Sequence, residues 1–108
     1  MASILVIEDN NEIQEILKIL LTEEHEVIQA FSGTEGIMQF DKGGIDLVLL
    51  DIMLPGKNGD QVLQAIRQTS QTPVIMLTAL GDKKLISQYL LDGANDYVVK
   101  PFDLDEVF

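Results

Sequence analysis

At 108 residues, 46% of them apolar and 23% charged, the chain can build one hydrophobic core and is too short for two ordinary domains. Eighteen acidic residues against seven Lys and Arg give a formal charge of −11, which leaves no basic stripe to neutralise a phosphate backbone and excludes nucleic-acid binding by this chain alone. The absence of Cys excludes disulfides and thiolate-held metal.

The opening residues, "MASILVIEDN", lack the basic n-region and small-residue cleavage site of a signal peptide, and no apolar run approaches the roughly 20 residues of a membrane span. The expected location is the cytoplasm, with no membrane partner. Residues 3–8, "SILVIE", form a nearly unbroken apolar run, as in a strand covered on both faces. Ile13, Ile16, Leu17 and Leu20 then recur at i, i+3, i+4 and i+7 and predict a helix, with Asn11 and Gln14 as its cap. "HEVIQA" at 25–30 reads as a weaker, edge-like strand, and His25 within it as a surface residue.

Ser32 with Glu35 makes a capping box for a second helix through about Phe40, stopped by "KGG". "LVLLD" at 47–51 is the third strand, and Val62, Leu63 and Ile66 mark a third helix. "PVIMLT" at 73–78 is the fourth strand. Leu85, Ile86, Tyr89 and Leu90 mark a fourth helix ended by Gly93, and "YVVK" at 97–100 is the fifth strand. Asp103 with Glu106 announces a fifth helix, yet the sequence stops at Phe108, so that helix is expected to be truncated or missing. Residues 1–108 thus read as one domain of a longer protein.

Strand and helix in alternation imply an α/β fold: a parallel sheet with right-handed crossovers and helices on both faces. Five strands fit the flavodoxin-like, doubly wound order 2-1-3-4-5. In such a sheet ligands bind beyond the carboxyl ends of the strands, where strand order reverses, here between the first and third strands. Glu8 and Asp9 follow the first strand and Asp51 ends the third, so three carboxylates are expected at one rim.

Like charges held that close repel one another unless a cation intervenes. Hard oxygen ligands without His or Cys favour Mg²⁺, with Mn²⁺ as the alternative ion. Thr78 and Lys100 end the fourth and fifth strands at the same rim. A cation, an ammonium group and a hydroxyl around one carboxylate are the components of phosphoryl transfer, with Asp51 as nucleophile. Singly, each residue has a plainer reading. The acids suit a helix N-terminus, Asp51 a turn before Pro55, Thr78 a strand or cap, and Lys100 solvent. Their coincidence at the ends of four strands overrides those readings.

The same stretches, "ILVIEDN", "DLVLLDIMLPGKNGDQVLQAIR", "PVIMLTAL" and "GANDYVVKPF", resemble the receiver domain of two-component response regulators over the whole chain. The ordered set of an acidic pair, an Asp followed by "xxLPGxxG", Thr-Ala and Lys-Pro-Phe is specific. The resemblance implies that Asp51 is the phosphoacceptor, Asp9 a direct Mg²⁺ ligand and Glu8 a ligand through water, with the carbonyl of Met53 as a further metal oxygen. It implies contact of Lys100 and Thr78 with the phosphoryl group, Tyr97 as the switch aromatic, and a cis Lys100–Pro101 bond.

"PFDLDEVF" and "GANDYVVKPF" are most similar to receivers attached to winged-helix DNA-binding domains. The implied partners are a sensor histidine kinase and, once phosphorylated, a second copy through the fourth-helix and fifth-strand face. No enzyme of the ordinary kind is implied; the domain would assist its own phosphorylation and a slow dephosphorylation. Met53 and Leu80, two residues beyond Asp51 and Thr78, carry no group that aligns an attacking water. Other classes fit less well. A flavin module would need a phosphate loop where "EDNNE" stands, and a haloacid-dehalogenase-type phosphatase a second Asp in place of Met53. The remaining alternative is a receiver-like interaction module that is never phosphorylated.

Overall fold

A computed structural model describes residues 2–52, 54, 59–79, 87, 88, 90, 91 and 93–100, with side chains for all but 78, 79 and 97–100. The elements run β1 (Ser3–Ile7), α1 (Asn11–Thr22), β2 (Glu26–Ala30), α2 (Gly33–Asp41), β3 (Leu47–Asp51), α3 (Gly59–Thr69), β4 (Val74–Ala79) and β5 (Asp96–Lys100). All paired strands are parallel, in the order β2-β1-β3-β4-β5 that the alternation of runs predicts. The expected fifth helix and the Lys100–Pro101 bond lie outside the described residues. Of the expected fourth helix, residues 87, 88, 90 and 91 are helical, and Gly93 follows at φ 118°, a left-handed conformation that glycine adopts without cost.

Strand parity divides the apolar residues between two layers. Leu5 and Ile7 of β1, with Val48 and Leu50 of β3, join Val62, Leu63 and Ile66 of α3 in the larger cluster, against which Ile37 and Phe40 of α2 also pack. Ile4 and Val6, with Leu49 of β3 and Leu77 of β4, turn to the other face and meet Leu17, Ile13 and Leu21 of α1. Because both faces are covered, β1 and β3 carry no alternating polar residues, which is why their sequences read as unbroken apolar runs. A fully buried Leu or Ile in such a layer contributes about 1.5–3 kcal/mol relative to exposure.

Two local expectations are corrected. The N-cap of α1 is Asn10, not Asn11 with Gln14: the Asn10 Oδ1 accepts from the N–H groups of Glu12 at 2.8 Å and Ile13 at 3.1 Å. The buried stripe of α1 also lies further round the helix than the apolar letters suggest. Leu20 is 66% exposed, whereas Gln14 and Leu17 are buried and Leu21 packs inward. Gln14 is part of the buried face, so a pattern drawn from apolar residues alone is rotated away from it.

The Ser32 cap of α2 stands, with the Glu35 N–H donating to Ser32 Oγ at 3.1 Å. The return bond runs one residue earlier than a capping box requires, from the Phe31 N–H to Glu35 Oε1 at 2.6 Å. At the far end of the sheet, Arg67 closes α3 onto the turn before β5. Its guanidinium donates to the carbonyls of Gly93 (3.0 Å) and Thr72 (2.7 Å) and to Asn95 Oδ1 (2.8 Å). The same Asn95 oxygen accepts from the Val74 N–H at 2.9 Å, so one side chain joins the starts of β4 and β5. Burial draws the Arg67 guanidinium below its ordinary value, and it remains a cation.

Candidate functional site

The register of β1 and β3 builds the site. Ile7 lies opposite Leu50, so the next residues in each chain, Glu8 and Asp51, come side by side where the sheet's order reverses. Both continue the parity that faces α1 in their strands. One carboxylate oxygen from each of Glu8, Asp9 and Asp51 lies within 4.8 Å of the others. Glu8 is 0% and Asp51 3% exposed, while Asp9 is open to solvent.

Asp51 is held from two sides. In the ladder it pairs with Leu77, and the N–H of Ile52 donates to the Leu77 carbonyl at 3.2 Å. Below it, α3 begins at Gly59, whose N–H donates to the Ile52 carbonyl at 3.0 Å. A Cβ on Gly59 would stand 2.8 Å from the Asp51 carbonyl oxygen and 2.9 Å from Ile52 Cα, so only glycine lets the helix start this close to the strand end. The last glycine of "LPGKNG" is therefore a spacing requirement of the end of β3.

Glu8 is clamped more completely. Its N–H donates to the Ala30 carbonyl at 3.0 Å, tying it to the end of β2. Its Oε2 accepts from the Asn10 N–H at 3.0 Å, and its carbonyl accepts from Gln14 Nε2 at 3.0 Å. Asp9 stands at the apex of this short bend, immediately before the cap of α1, where the helix dipole favours an acid.

Backbone pairing brings the other two expected residues to the same rim. Thr78 follows Leu77, the partner of Asp51, and Lys100 pairs with Ala79 at the end of β5. Tyr97 lies within β5 opposite Met76. The side chains of Thr78, Tyr97 and Lys100, and the carbonyl of Met53, lie outside what the structure describes. Gln14, Asn10 and Gly59 as supports of the site were not apparent from the sequence, although the fixed distance from Asp51 to Gly59 in "DIMLPGKNG" was the available signal for the last.

Three hard oxygens, two of them on buried residues, gathered with no nitrogen or sulfur ligand among the described residues, fit a small divalent cation. Carboxylates brought this close attract such an ion and lose mutual repulsion when it binds.

A family comparison matches residues 4–108 to the response regulator receiver domain, and the chain belongs to that family. Response regulator receiver domains are signalling modules rather than enzymes of the ordinary kind. The chain is 46% identical over 106 residues to the uncharacterized transcriptional regulatory protein YkoG of Bacillus subtilis, covering 96% of this chain and 46% of that protein. It is 47% identical over 104 residues to the transcriptional regulatory protein CpxR of Escherichia coli, covering 95% of this chain and 44% of that one. The chain thus spans about half the length of the curated relatives it matches.

Among solved structures, the receiver domain of the Francisella response regulator 1452 superposes with a TM-score of 0.88 at 31% identity, covering 99% of this chain and 90% of that one. A response regulator receiver domain protein from Clostridium thermocellum gives 0.86 at 33% identity, covering 99% and 88%. Among the described residues, no helix is long and apolar enough to cross a membrane.

Proposed function

We propose that residues 1–108 form the phosphorylation-activated switch of a two-component system, with Asp51 as phosphoacceptor. The observation that carries this reading is the convergence of Glu8, Asp9 and Asp51 at the point where strand order reverses. A sensor histidine kinase is the donor: the P–N bond of its phosphohistidine breaks as a bond forms between phosphorus and a carboxylate oxygen of Asp51. Glu8, Asp9, Asp51 and the carbonyl of Met53 would hold Mg²⁺ or Mn²⁺, which supplies charge neutralisation to the acids and the transferred group.

The other residues of the rim have parts in that scheme. The β3 strand holds Asp51 rigid, so the entropic cost of orienting the nucleophile is met in folding. Lys100 pairs with the added negative charge and Thr78 donates a hydrogen bond to it. Movement of Thr78 lets Tyr97 turn inward, which alters the face made by the fourth helix and β5. That face serves as the dimer contact of the phosphorylated form, in the cytoplasm, and dimerisation controls an attached output domain. The lengths and names of YkoG and CpxR support a DNA-binding domain in that place.

Incubation with acetyl phosphate and Mg²⁺ tests the reading by intact mass: a gain of one phosphoryl group is expected, and none in EDTA. Beryllofluoride with Mg²⁺ should shift amide resonances around Asp51 and Tyr97, and silence there favours the interaction module that is never phosphorylated. Once formed, the phosphoprotein should persist for minutes or longer, because Met53 and Leu80 place no acid or carboxamide beside the attacking water. Loss of the label within seconds would refute that slow self-dephosphorylation.

A further inference from the structure

Gln14 is 1% exposed, on the face of α1 turned toward the sheet. Its Nε2 lies 3.0 Å from the Val6 carbonyl, 3.0 Å from the Glu8 carbonyl and 2.8 Å from the Ala30 carbonyl. Two N–H groups thus serve three oxygens, with one proton shared. The amide orientation follows from chemistry, since the opposite one would press an oxygen against three carbonyls. Its own Oε1 is buried without a hydrogen-bond partner, an arrangement that costs free energy and that an apolar side chain would avoid.

The three carbonyls belong to the two strand ends that frame the acids. Val6 and Glu8 bracket the last residue of β1, and Ala30 is the last residue of β2. Glu8 then turns back on Asn10, the cap of α1, and the Gln14 N–H closes the first helical turn onto the Asn10 carbonyl at 3.0 Å. Residues 8–10 are therefore held in a closed ring of contacts with Asp9 at its outer point. The carboxylates of Glu8 and Asp9 have the direction that this ring allows.

We propose that Gln14 is a positioning residue for the acidic site: its carboxamide fixes the main chain of Glu8, and through it the aim of Glu8 and Asp9 at the cation. This rests on the reading of Glu8, Asp9 and Asp51 as a Mg²⁺ site. Gln14 touches neither the ion nor Asp51. It acts as the partners of metal ligands do, whose loss weakens affinity by about 10- to 100-fold.

The test is a Mg²⁺ titration followed by amide chemical shifts, with urea unfolding measured beside it, on the wild type and three variants. Gln14→Met keeps the shape of the side chain and removes its donors; its Mg²⁺ affinity should fall on the order of tenfold. Ile66→Val, a loss of buried volume in the opposite layer, should lower stability and leave affinity unchanged. Asp9→Asn should abolish most of the binding. If Gln14→Met binds Mg²⁺ as the wild type does, the proposal is overturned while the metal site stands. If the wild type shows no saturable binding, or Asp9→Asn binds as tightly, the metal reading fails and takes the proposal with it. Should Gln14→Met not fold, Gln14→Asn replaces it, being one methylene too short to serve three carbonyls; failure of both to fold assigns Gln14 a purely structural role.

Discussion

Asp51→Asn is expected to abolish the phosphoryl mass gain from acetyl phosphate and Mg²⁺. Asparagine has the same shape, so Leu50 and Val48 keep their packing and β3 keeps its register with β1 and β4. What is removed is the anionic oxygen proposed to attack phosphorus, since a neutral carboxamide is a far weaker nucleophile. Stability gives an independent reading. Asp51 is buried beside Glu8 and Asp9, so removing its charge relieves repulsion. The urea midpoint of the variant in EDTA should be no lower than that of the wild type, and the stabilisation that Mg²⁺ confers by binding the folded state should shrink. A phosphoryl gain that survives the substitution would move the acceptor elsewhere, with Asp9 the next carboxylate to examine.

Gly59→Ala should destabilise the fold by roughly 1–3 kcal/mol, the usual range for overpacking. The opposing gain in helix propensity is up to about 1 kcal/mol and does not prevail. The added methyl would meet backbone, the Asp51 carbonyl at 2.8 Å and Ile52 at 2.9 Å, and not the end of a side chain that could turn away. The start of α3 could retreat only by giving up the Gly59 to Ile52 hydrogen bond and the burial of Val62, Leu63 and Ile66. Because the displaced atoms carry Asp51, phosphorylation should slow as well. Gly36→Ala is the comparison: its methyl would fall 2.5–3.0 Å from the buried Ile7 side chain, in the layer away from the acids, so it should also lower stability and leave the orientation of Asp51 unchanged. A Gly59→Ala protein as stable and as readily phosphorylated as the wild type would contradict this account of the strand end.

The strands were legible because burial on both faces removes polar letters from them, and "LVLLD" announces both its burial and the point where burial ends. The rim was legible because a parallel sheet brings strand ends together, so the positions of Glu8 and Asp51 in the sequence became neighbours once the order was known. What supports the rim was not. "EDNNE" contains two adjacent asparagines, and only the extended conformation of Asn10, φ −82° and ψ 118°, selects the cap. Gln14 reads as a surface letter because its partners, three main-chain carbonyls on two strands, leave no trace in any side-chain pattern. Gly59 is required by a distance between helix and strand, and distances between elements are tertiary facts.

Among the described residues the two layers over the sheet are unequal: the cluster under α2 and α3 is larger than the one under α1. Fewer buried apolar contacts lower the cost of local opening, so α1 should part from the sheet more readily than α3. Yet the acids lie on that side, framed by the cap and first turn of α1. Any ion or phosphoryl group bridging them would therefore add its binding energy to the less packed of these two layers. Occupancy of the site and the residence of α1 on the sheet are thermodynamically linked, and each can report the other.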